Sequence, residues 1–247
     1  MKPIYEPKGA AREYGELAIN IYTGCPHRCY YCFSPSVLKK DKDAFHTAVQ
    51  PREGLLEALE SQIVQEHIKD RTIHLCFSCD PYPKGCDSST TREVIRMLKE
   101  YGNHVQILTK NGEDAMRDFD LLDDKDWFGV TYAGYEPRTW DDGYIPESEP
   151  GSGAPFYRIR ALHEAHKRGI RTWCSCEPVL DAASVINFIQ SADYVDLWKI
   201  GKLNYHASDI NWADFGKQVE LVCIAERRNY CIKDSLRKEM QKDETRN

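Results

Sequence analysis

The sequence predicts an α/β fold, built as an open partial barrel of six parallel strands in a (βα)6 arrangement. Short segments rich in β-branched and aromatic residues alternate with segments whose apolar residues recur at helical spacing. Such alternation is typical of parallel βα units. Six units are too few to close the eight-stranded α/β barrel, so an open sheet fits the pattern better.

The predicted strands are short runs bounded by turn residues. They are 17–23, 72–78, 104–109, 128–133, 171–177 and 195–200. The segments between and after them carry helical periodicity or clear end signals. The predicted helices are 52–69, 90–101, 114–122, 156–168, 182–191, 212–225 and 234–242. For the second helix, Thr90 and Glu93 predict a capping box, and Gly102 predicts the end.

Composition predicts a soluble cytosolic protein with a single domain. Of the 247 residues, 41% are hydrophobic, and the mean hydropathy is −0.60. No apolar stretch is long enough to cross a bilayer, and the start of the chain lacks the apolar core of a signal peptide. The net charge of −6 argues against general nucleic-acid binding, although a local basic groove stays open. We expect one domain over 1–247, with a core over 15–205 and a C-terminal helical extension over 206–247.

Three cysteines form the most informative motif of the chain. Cys25, Cys29 and Cys32 have the spacing C-x3-C-x2-C, with no fourth cysteine nearby. A cubane cluster has four irons, and each iron takes one thiolate. Three thiolates therefore leave one iron open for a small molecule.

A zinc site, a disulfide or a set of inert thiols fits the triplet less well. Structural zinc usually takes four ligands in two pairs, and His27 would strain the loop to reach the same ion. Disulfides are rare in a reducing cytosol. Three cysteines within eight residues of a loop punctuated by Gly and Pro do not suit inert buried thiols. A zinc-stabilised binding module without catalysis stays as the alternative from a different class.

The motif, with the aromatic Tyr31 just before the third cysteine, resembles the cluster loop of the radical S-adenosylmethionine (radical SAM) enzymes. The resemblance implies a partial TIM-type barrel with a [4Fe-4S] cluster whose open iron binds S-adenosylmethionine. It also implies reductive cleavage of that cofactor to a 5′-deoxyadenosyl radical, which abstracts hydrogen from the substrate. A flavodoxin- or ferredoxin-like electron donor is then expected.

The step Ser78-Cys79-Asp80-Pro81-Tyr82 at the end of the second strand is similar to the spore photoproduct lyase-like branch. This similarity favours a lyase or repair reaction on nucleic acid. Modification of a peptide, a protein or a small molecule is the alternative within the family. The sequence identifies neither the substrate nor a catalytic residue.

The resemblance suggests cofactor contacts for eight residues, most of them at strand ends. Ser78 and Asp80 would replace a Gly-Gly-Glu motif as acceptors for the methionine ammonium. Lys110 and Arg158 would pair with its carboxylate, since a guanidinium fork suits a carboxylate. The remaining candidates are Thr131 for the ribose, Glu177 for the ribose or the substrate, and Tyr31 and Phe33 for the adenine. Core packing explains the two aromatic residues equally well.

Two further features are open. Segment 135–154, rich in Gly, Pro and acidic residues, is predicted to be a substrate loop or a lid, with a solvated insertion as the alternative. Several of the remaining cysteines are candidates for an auxiliary cluster or a reactive thiol at the barrel mouth, or for ordinary core residues. They are Cys76, Cys79, Cys86, Cys174 and Cys176.

Overall fold

The computed structural model describes residues 2–135 and 143–244. Its sheet has eight strands, which lie side by side in the order of the sequence. The strands are β1 (Ile4–Tyr5), β2 (Leu17–Ile19), β3 (Thr72–Leu75), β4 (His104–Thr109), β5 (Trp127–Thr131), β6 (Arg171–Cys176), β7 (Leu197–Ile200) and β8 (Tyr230–Ile232). β1 is antiparallel to β2, and β2 to β8 are parallel. Within the described residues β1 and β8 are edge strands, so the barrel is open.

Helices cover the outer face of this sheet. They are α1 (Ser34–Val37), α2 (Lys42–Thr47), α3 (Leu55–Glu66), α4 (Ser89–Glu100), α5 (Gly112–Ala115), α6 (Pro155–Lys167), α7 (Ala182–Ser191), α8 (Trp212–Ala225) and α9 (Asp234–Glu244). Because side chains alternate along a strand, Ile73 and Leu75 face the helices in the apolar core, whereas His74 faces inward. No helix in the described ranges combines the length and the apolar character needed to cross a bilayer.

The predicted open α/β barrel is confirmed, and all six predicted strands are present as β2 to β7. β3 ends at Leu75, earlier than predicted, because Cys76 has a φ of 71° and leaves the extended conformation. β1 and β8 were not predicted. β8 lies inside the region predicted to be helical, and its three residues are too few to show a period of two. The domain organisation stays a prediction.

The predicted helix bounds are most accurate where the apolar periodicity extends over many residues. Helices α7 and α8 have the predicted bounds. The predicted capping box is wrong, because α4 begins at Ser89 with Ser88 as its N-cap, and Glu93 pairs with Arg96 instead. Gly102 does end this helix, with a φ of 74°. The predicted helix 114–122 is split into α5 and a 3-10 helix, Met116–Leu121.

A segment near the N-terminus of the chain packs against the inward-facing side chains of the barrel. After a 3-10 helix, Gly9–Glu13, the ring of Tyr14 lies 5.8 to 5.9 Å from the rings of His74, Phe77 and Trp173. Polar and aromatic inward-facing residues therefore pack around this segment. The C-terminal ends of the strands are the edge where barrel enzymes place their chemistry.

Candidate cluster and cofactor site

The cysteine loop follows β2 and curls against α2. Cys29 is buried, and Cys25 and Cys32 are partly exposed. The backbone N–H of Cys25 donates to the carbonyl of Phe45 at 3.1 Å, and that of Cys32 to the carbonyl of Cys29 at 3.0 Å. Gly24 has no room for a side chain, since a Cβ would lie 2.2 Å from the Phe45 carbonyl oxygen. The three thiols are thus held on one compact loop beyond the sheet.

In the described part of the chain, the three sulfurs do not form the compact ligand group of a single ion. Ligands of one tetrahedral zinc lie about 3.8 Å from each other, because the Zn–S distance is about 2.3 Å. Among the residues that the structure describes, these sulfurs belong to no group whose ligand atoms all lie within 4.8 Å of one another. A cubane cluster binds each thiolate on a different iron. The arrangement of the three thiols is compatible with such a cluster, in which no single ion has to be reached by all of them.

His27, between the first two cysteines, has both ring nitrogens engaged inside the protein. Burial lowers the pKa of His27 to about 4, so the imidazole is neutral. Its Nδ1 lies 3.5 Å from Oδ2 of Asp80, and its Nε2 accepts from the backbone N–H of Lys84 at 3.3 Å. His27 therefore supports the loop and is not placed as a metal ligand.

Asp80 joins the ends of two neighbouring strands. Its carboxylate accepts from the hydroxyl of Thr109 at 2.6 Å and from the backbone N–H of Lys110 at 2.8 Å. It also accepts from the backbone N–H of Tyr82 at 2.8 Å. The predicted contact with the cofactor's ammonium would come in addition to these bonds, and it stays a prediction.

Ser78 presents a buried hydroxyl for which the described residues supply no hydrogen-bond partner. Its backbone is fixed by Asn20, whose Oδ1 accepts from the N–H groups of Phe77 and Ser78, both at 2.9 Å. No role was predicted for Asn20 from the sequence. The only sequence feature that could have pointed to Asn20 is its polar side chain, two positions after Ala18, which is buried. A buried hydroxyl without a partner is costly, so Ser78 marks a place where a ligand's polar group would fit.

Arg158 and Glu149 form a fully buried ion pair beside the cysteine loop. The Arg158 Nη2 donates to Glu149 Oε2 at 2.6 Å and to the Ser152 hydroxyl at 2.6 Å. The carbonyls of Gly153 and Thr131 accept its other donors, both at 3.0 Å. The predicted bond from Arg158 to the cofactor's carboxylate would require some of these bonds to break. Glu149 was not predicted, because nothing in the sequence distinguishes it from the exposed Glu147.

Tyr31 and Lys110 lie on the same side of the loop. The Tyr31 hydroxyl donates to Glu149 Oε1. The Lys110 ammonium lies 5.7 Å from the centre of the Tyr31 ring. Burial lowers the pKa of Lys110, but the electrostatic interactions with Cys29 and Glu149 raise it by more, so that its pKa is raised overall. Lys110 is therefore a cation next to the thiols, as pairing with a carboxylate would require.

Thr131 and Phe33 differ in exposure. Thr131 is buried at the end of β5. Phe33 directly follows the third cysteine and is 53% exposed. This exposure rules out core packing as the explanation for Phe33. Contacts of both residues with the cofactor stay predictions.

Glu177, directly after β6, belongs to a polar cluster near the ends of β6, β7 and β8. Its carboxylate accepts from the Tyr14 hydroxyl at 2.9 Å and from the Asn204 amide at 3.2 Å. It also forms an ion pair with Lys233, the residue that follows β8. The structure therefore supplies internal partners for Glu177, and its contact with ribose or substrate stays a prediction.

Neither a protein-family model nor a curated protein matches the sequence. Several solved structures share its fold. A spore photoproduct lyase variant with bound AdoMet and dinucleoside spore photoproduct aligns over 87% of this chain and 63% of its own, with a TM-score of 0.60 and 14% identity. SuiB from Streptococcus suis bound to S-adenosylmethionine aligns over 86% and 46%, with a TM-score of 0.61 and 11% identity. The radical SAM methyltransferase TsrM from Kitasatospora setae aligns over 74% and 35%, with a TM-score of 0.50 and 17% identity.

The chain has the fold of the radical SAM enzymes. It spans less than two thirds of the spore photoproduct lyase chain. The similarity to the spore photoproduct lyase branch, predicted from sequence, is confirmed at the level of the fold.

The radical SAM fold implies a [4Fe-4S] cluster and S-adenosylmethionine as cofactors. The residues present fit both groups, since three thiols serve three irons and the Ser78 hydroxyl lacks a partner among the described residues at the strand end where the ammonium is expected. Burial raises the pKa of Cys29 to about 12, so a bound iron would have to supply the charge that stabilises its thiolate.

The other cysteines do not gather at the barrel mouth as a group. Cys76 and Cys79 do lie at the end of β3, near the cysteine loop. Cys174 and Cys176 lie in the apolar core on the outer face, with their sulfurs 3.9 Å apart. The prediction is therefore wrong for Cys174 and Cys176, because their strand positions face the helices. In the described part of the chain no cysteine belongs to a compact ligand group of the single-ion type.

Proposed function

We propose that the chain is a cytosolic radical SAM enzyme in which Cys25, Cys29 and Cys32 bind a [4Fe-4S] cluster. The observation that carries the proposal is this triplet on a loop at the C-terminal side of a radical SAM-type sheet. When bound, the cluster supplies the electron that cleaves S-adenosylmethionine to methionine and a 5′-deoxyadenosyl radical. A flavodoxin- or ferredoxin-like protein is the proposed electron donor.

The protein's own contribution is to bind and orient the cofactor and to exclude water. Ser78 would accept from the methionine ammonium, and Lys110 would pair with the carboxylate. Thr131 would contact the ribose, and Tyr31 and Phe33 would contact the adenine. Asp80 and Arg158 would act mainly by holding the surrounding loops.

For the substrate, we favour a nucleic acid and a lyase-like reaction. The lyase structures of similar fold hold a dinucleoside substrate. In this chain, exposed aromatic residues stand around the cysteine loop. Tyr30 is 43% exposed and contacts the ring of His206 at 5.1 Å, and the adjacent Tyr205 is 95% exposed. Aromatic side chains of this kind provide stacking surfaces for unpaired bases.

Modification of a peptide, a protein or a small molecule is the second candidate. The net charge of −6 favours it, because an acidic protein gains little from phosphate contacts. The TsrM structure of similar fold holds tryptophan.

Anaerobic reconstitution tests the class, and binding tests the substrate. We expect about four irons per chain and 5′-deoxyadenosine on reduction with S-adenosylmethionine. Replacing all three cysteines of the triplet with alanine should abolish both. Colourless protein with one zinc would overturn the proposal.

Binding to a labelled single-stranded DNA should weaken steeply with salt. The Tyr205→Ala variant should bind about tenfold more weakly, since stacking contributes about 1–3 kcal/mol per base. The exposed Leu221→Ala variant on α8 is the control. DNA binding that does not change with salt or with Tyr205→Ala would favour the second candidate.

A further inference from the structure

Residues 143–154, here called the strap, run along the cysteine loop instead of standing free. The predicted substrate loop or lid covered 135–154, of which 136–142 lie outside the described residues. The carbonyl of Ser148 accepts from the N–H of Tyr30 at 3.1 Å. The N–H of Gly151 donates to the carbonyl of His27 at 3.0 Å. The strap thus holds the main chain on both sides of Cys29, the buried thiol of the triplet.

The strap approaches the cysteine loop and the residue after β4 so closely that two of its positions require glycine. A Cβ on Gly151 would lie 2.1 Å from the carbonyl oxygen of Pro26. A Cβ on Gly153 would lie 2.9 Å from the carbonyl oxygen of Lys110. Both neighbours are backbone atoms, which cannot rotate away. At both positions there is therefore no space for a side chain between the strap and the backbone that it covers.

The ion pair of Glu149 and Arg158 fixes the strap to the barrel. Both side chains are completely buried, and Arg158 is held by α6 and by the carbonyl at the end of β5. Glu149 also accepts from the hydroxyl of Tyr31, next to Cys32. Removal of one partner would leave a buried charge without compensation, which is strongly unfavourable. The pair therefore connects the barrel, the strap and the cysteine loop.

We propose that the strap is a fixed clamp on the cluster loop, and that Glu149 and Arg158 are positioning residues for the [4Fe-4S] cluster. The inference rests on the proposed function. It assigns to these residues a role in shaping and shielding the cluster, without contact with the substrate. Glu149 orients Tyr31, and the two backbone bonds keep Cys29 in place and cover its side of the loop.

The test compares Glu149→Gln with Glu147→Gln in reconstituted holoenzyme. Glu147 is exposed on the same strap, so its variant makes the same chemical change without breaking the pair. We expect Glu149→Gln to lose its cluster in air at least about tenfold faster, and amide exchange of residues 23–33 to rise by at least about tenfold. We also expect heterogeneous electron paramagnetic resonance lines of the reduced cluster. Glu147→Gln should match the wild type in all three measurements.

Two further variants separate clamping from general destabilisation. Gly151→Ala pushes the strap away without touching a charge, and we expect the same three changes. Leu98→Ala, in the core at α4, should lower the melting temperature without broadening the resonance lines. If Glu149→Gln and Gly151→Ala keep wild-type lines and lifetimes, or if Leu98→Ala reproduces their changes, the clamp is refuted while the enzyme class stands. Wild-type protein without any cluster would refute the enzyme class, and exchange of residues 23–33 would still test the clamp.

Discussion

The Ser78→Ala substitution should have two effects of opposite sign. A hydrogen bond to a charged group contributes about 1.5–3 kcal/mol. If the Ser78 hydroxyl accepts from the cofactor's ammonium, its loss should weaken binding of S-adenosylmethionine by about ten- to a hundredfold. The described residues leave this buried hydroxyl without a partner, so its desolvation is not offset in the cofactor-free protein. Removing the hydroxyl should therefore leave the free energy of unfolding of the cofactor-free protein unchanged or raise it by up to about 1 kcal/mol.

Binding and stability are measured separately for this variant. Calorimetric titration of anaerobic, reconstituted protein gives the affinity for S-adenosylmethionine, and urea unfolding of the cluster-free chain gives the free energy of unfolding. Ser235→Ala is a matched control, because its hydroxyl is also buried without a partner in the described ranges but lies on α9. It should show the same direction of stability change and an unchanged affinity.

Two results would contradict the role given to the Ser78 hydroxyl. Equal affinity of Ser78→Ala and wild type would show that the hydroxyl does not contact the cofactor. A loss of more than about 1 kcal/mol in the free energy of unfolding would show that the hydroxyl makes a structural hydrogen bond.

Three further outcomes are expected. Single Cys→Ala variants of the triplet should lose most of the bound iron while the cluster-free chain keeps its circular dichroism spectrum; retained iron would contradict the ligand assignment. Gly129→Ala should reduce the free energy of unfolding by about 1–3 kcal/mol in urea, because the new Cβ would lie 2.3 Å from Nε1 of the buried Trp173; an unchanged midpoint would contradict it. Burial lowers the pKa of Lys199 from 10.5 to about 8, so the unfolded chain binds more protons between these values and stability rises with pH. Between pH 7.5 and 9.5, the free energy of unfolding of the wild type should therefore rise by about 2 kcal/mol more than that of Lys199→Met. Urea unfolding at several pH values measures both, and parallel pH curves of the two proteins would contradict the prediction.

Much of the fold could be predicted because its elements alternate and most are long enough to show a period. Strand β4 and helices α7 and α8 have the predicted bounds. The failures have local causes. β8 has three residues, and its membership of the sheet depends on pairing with β7 and not on its own composition. The end of β3 depends on the positive φ of Cys76, a conformation that a cysteine does not signal.

The site was predictable only where chemistry and spacing coincide. The triplet could be proposed as a site from the sequence, because three thiolates at that spacing suit a cubane cluster, and its role as ligand set stays a prediction. The pair of Glu149 and Arg158 was not predictable, since Glu147 and Glu149 have the same chemistry and only the tertiary structure buries one of them. Arg158 illustrates the same limit. From its position near the start of α6, Arg158 was predicted to pair with the carboxylate of the cofactor. In the structure it pairs with the carboxylate of Glu149 instead.

The filling of the barrel limits where a substrate can react. Tyr14 rises through the interior until its hydroxyl reaches Ser175 at 3.0 Å and Glu177 at 2.9 Å. Glu177 follows the last residue of β6, so on this side the interior is occupied up to the edge of the sheet. The cysteine loop and Ser78 follow β2 and β3, which are separated from β6 by two further strands in the sheet. A substrate would therefore meet the proposed radical at the mouth of the barrel near these strands, where the exposed rings of Tyr30 and Phe33 also stand. A group presented from a larger molecule, such as an extruded base, suits this geometry better than a small molecule enclosed in the interior.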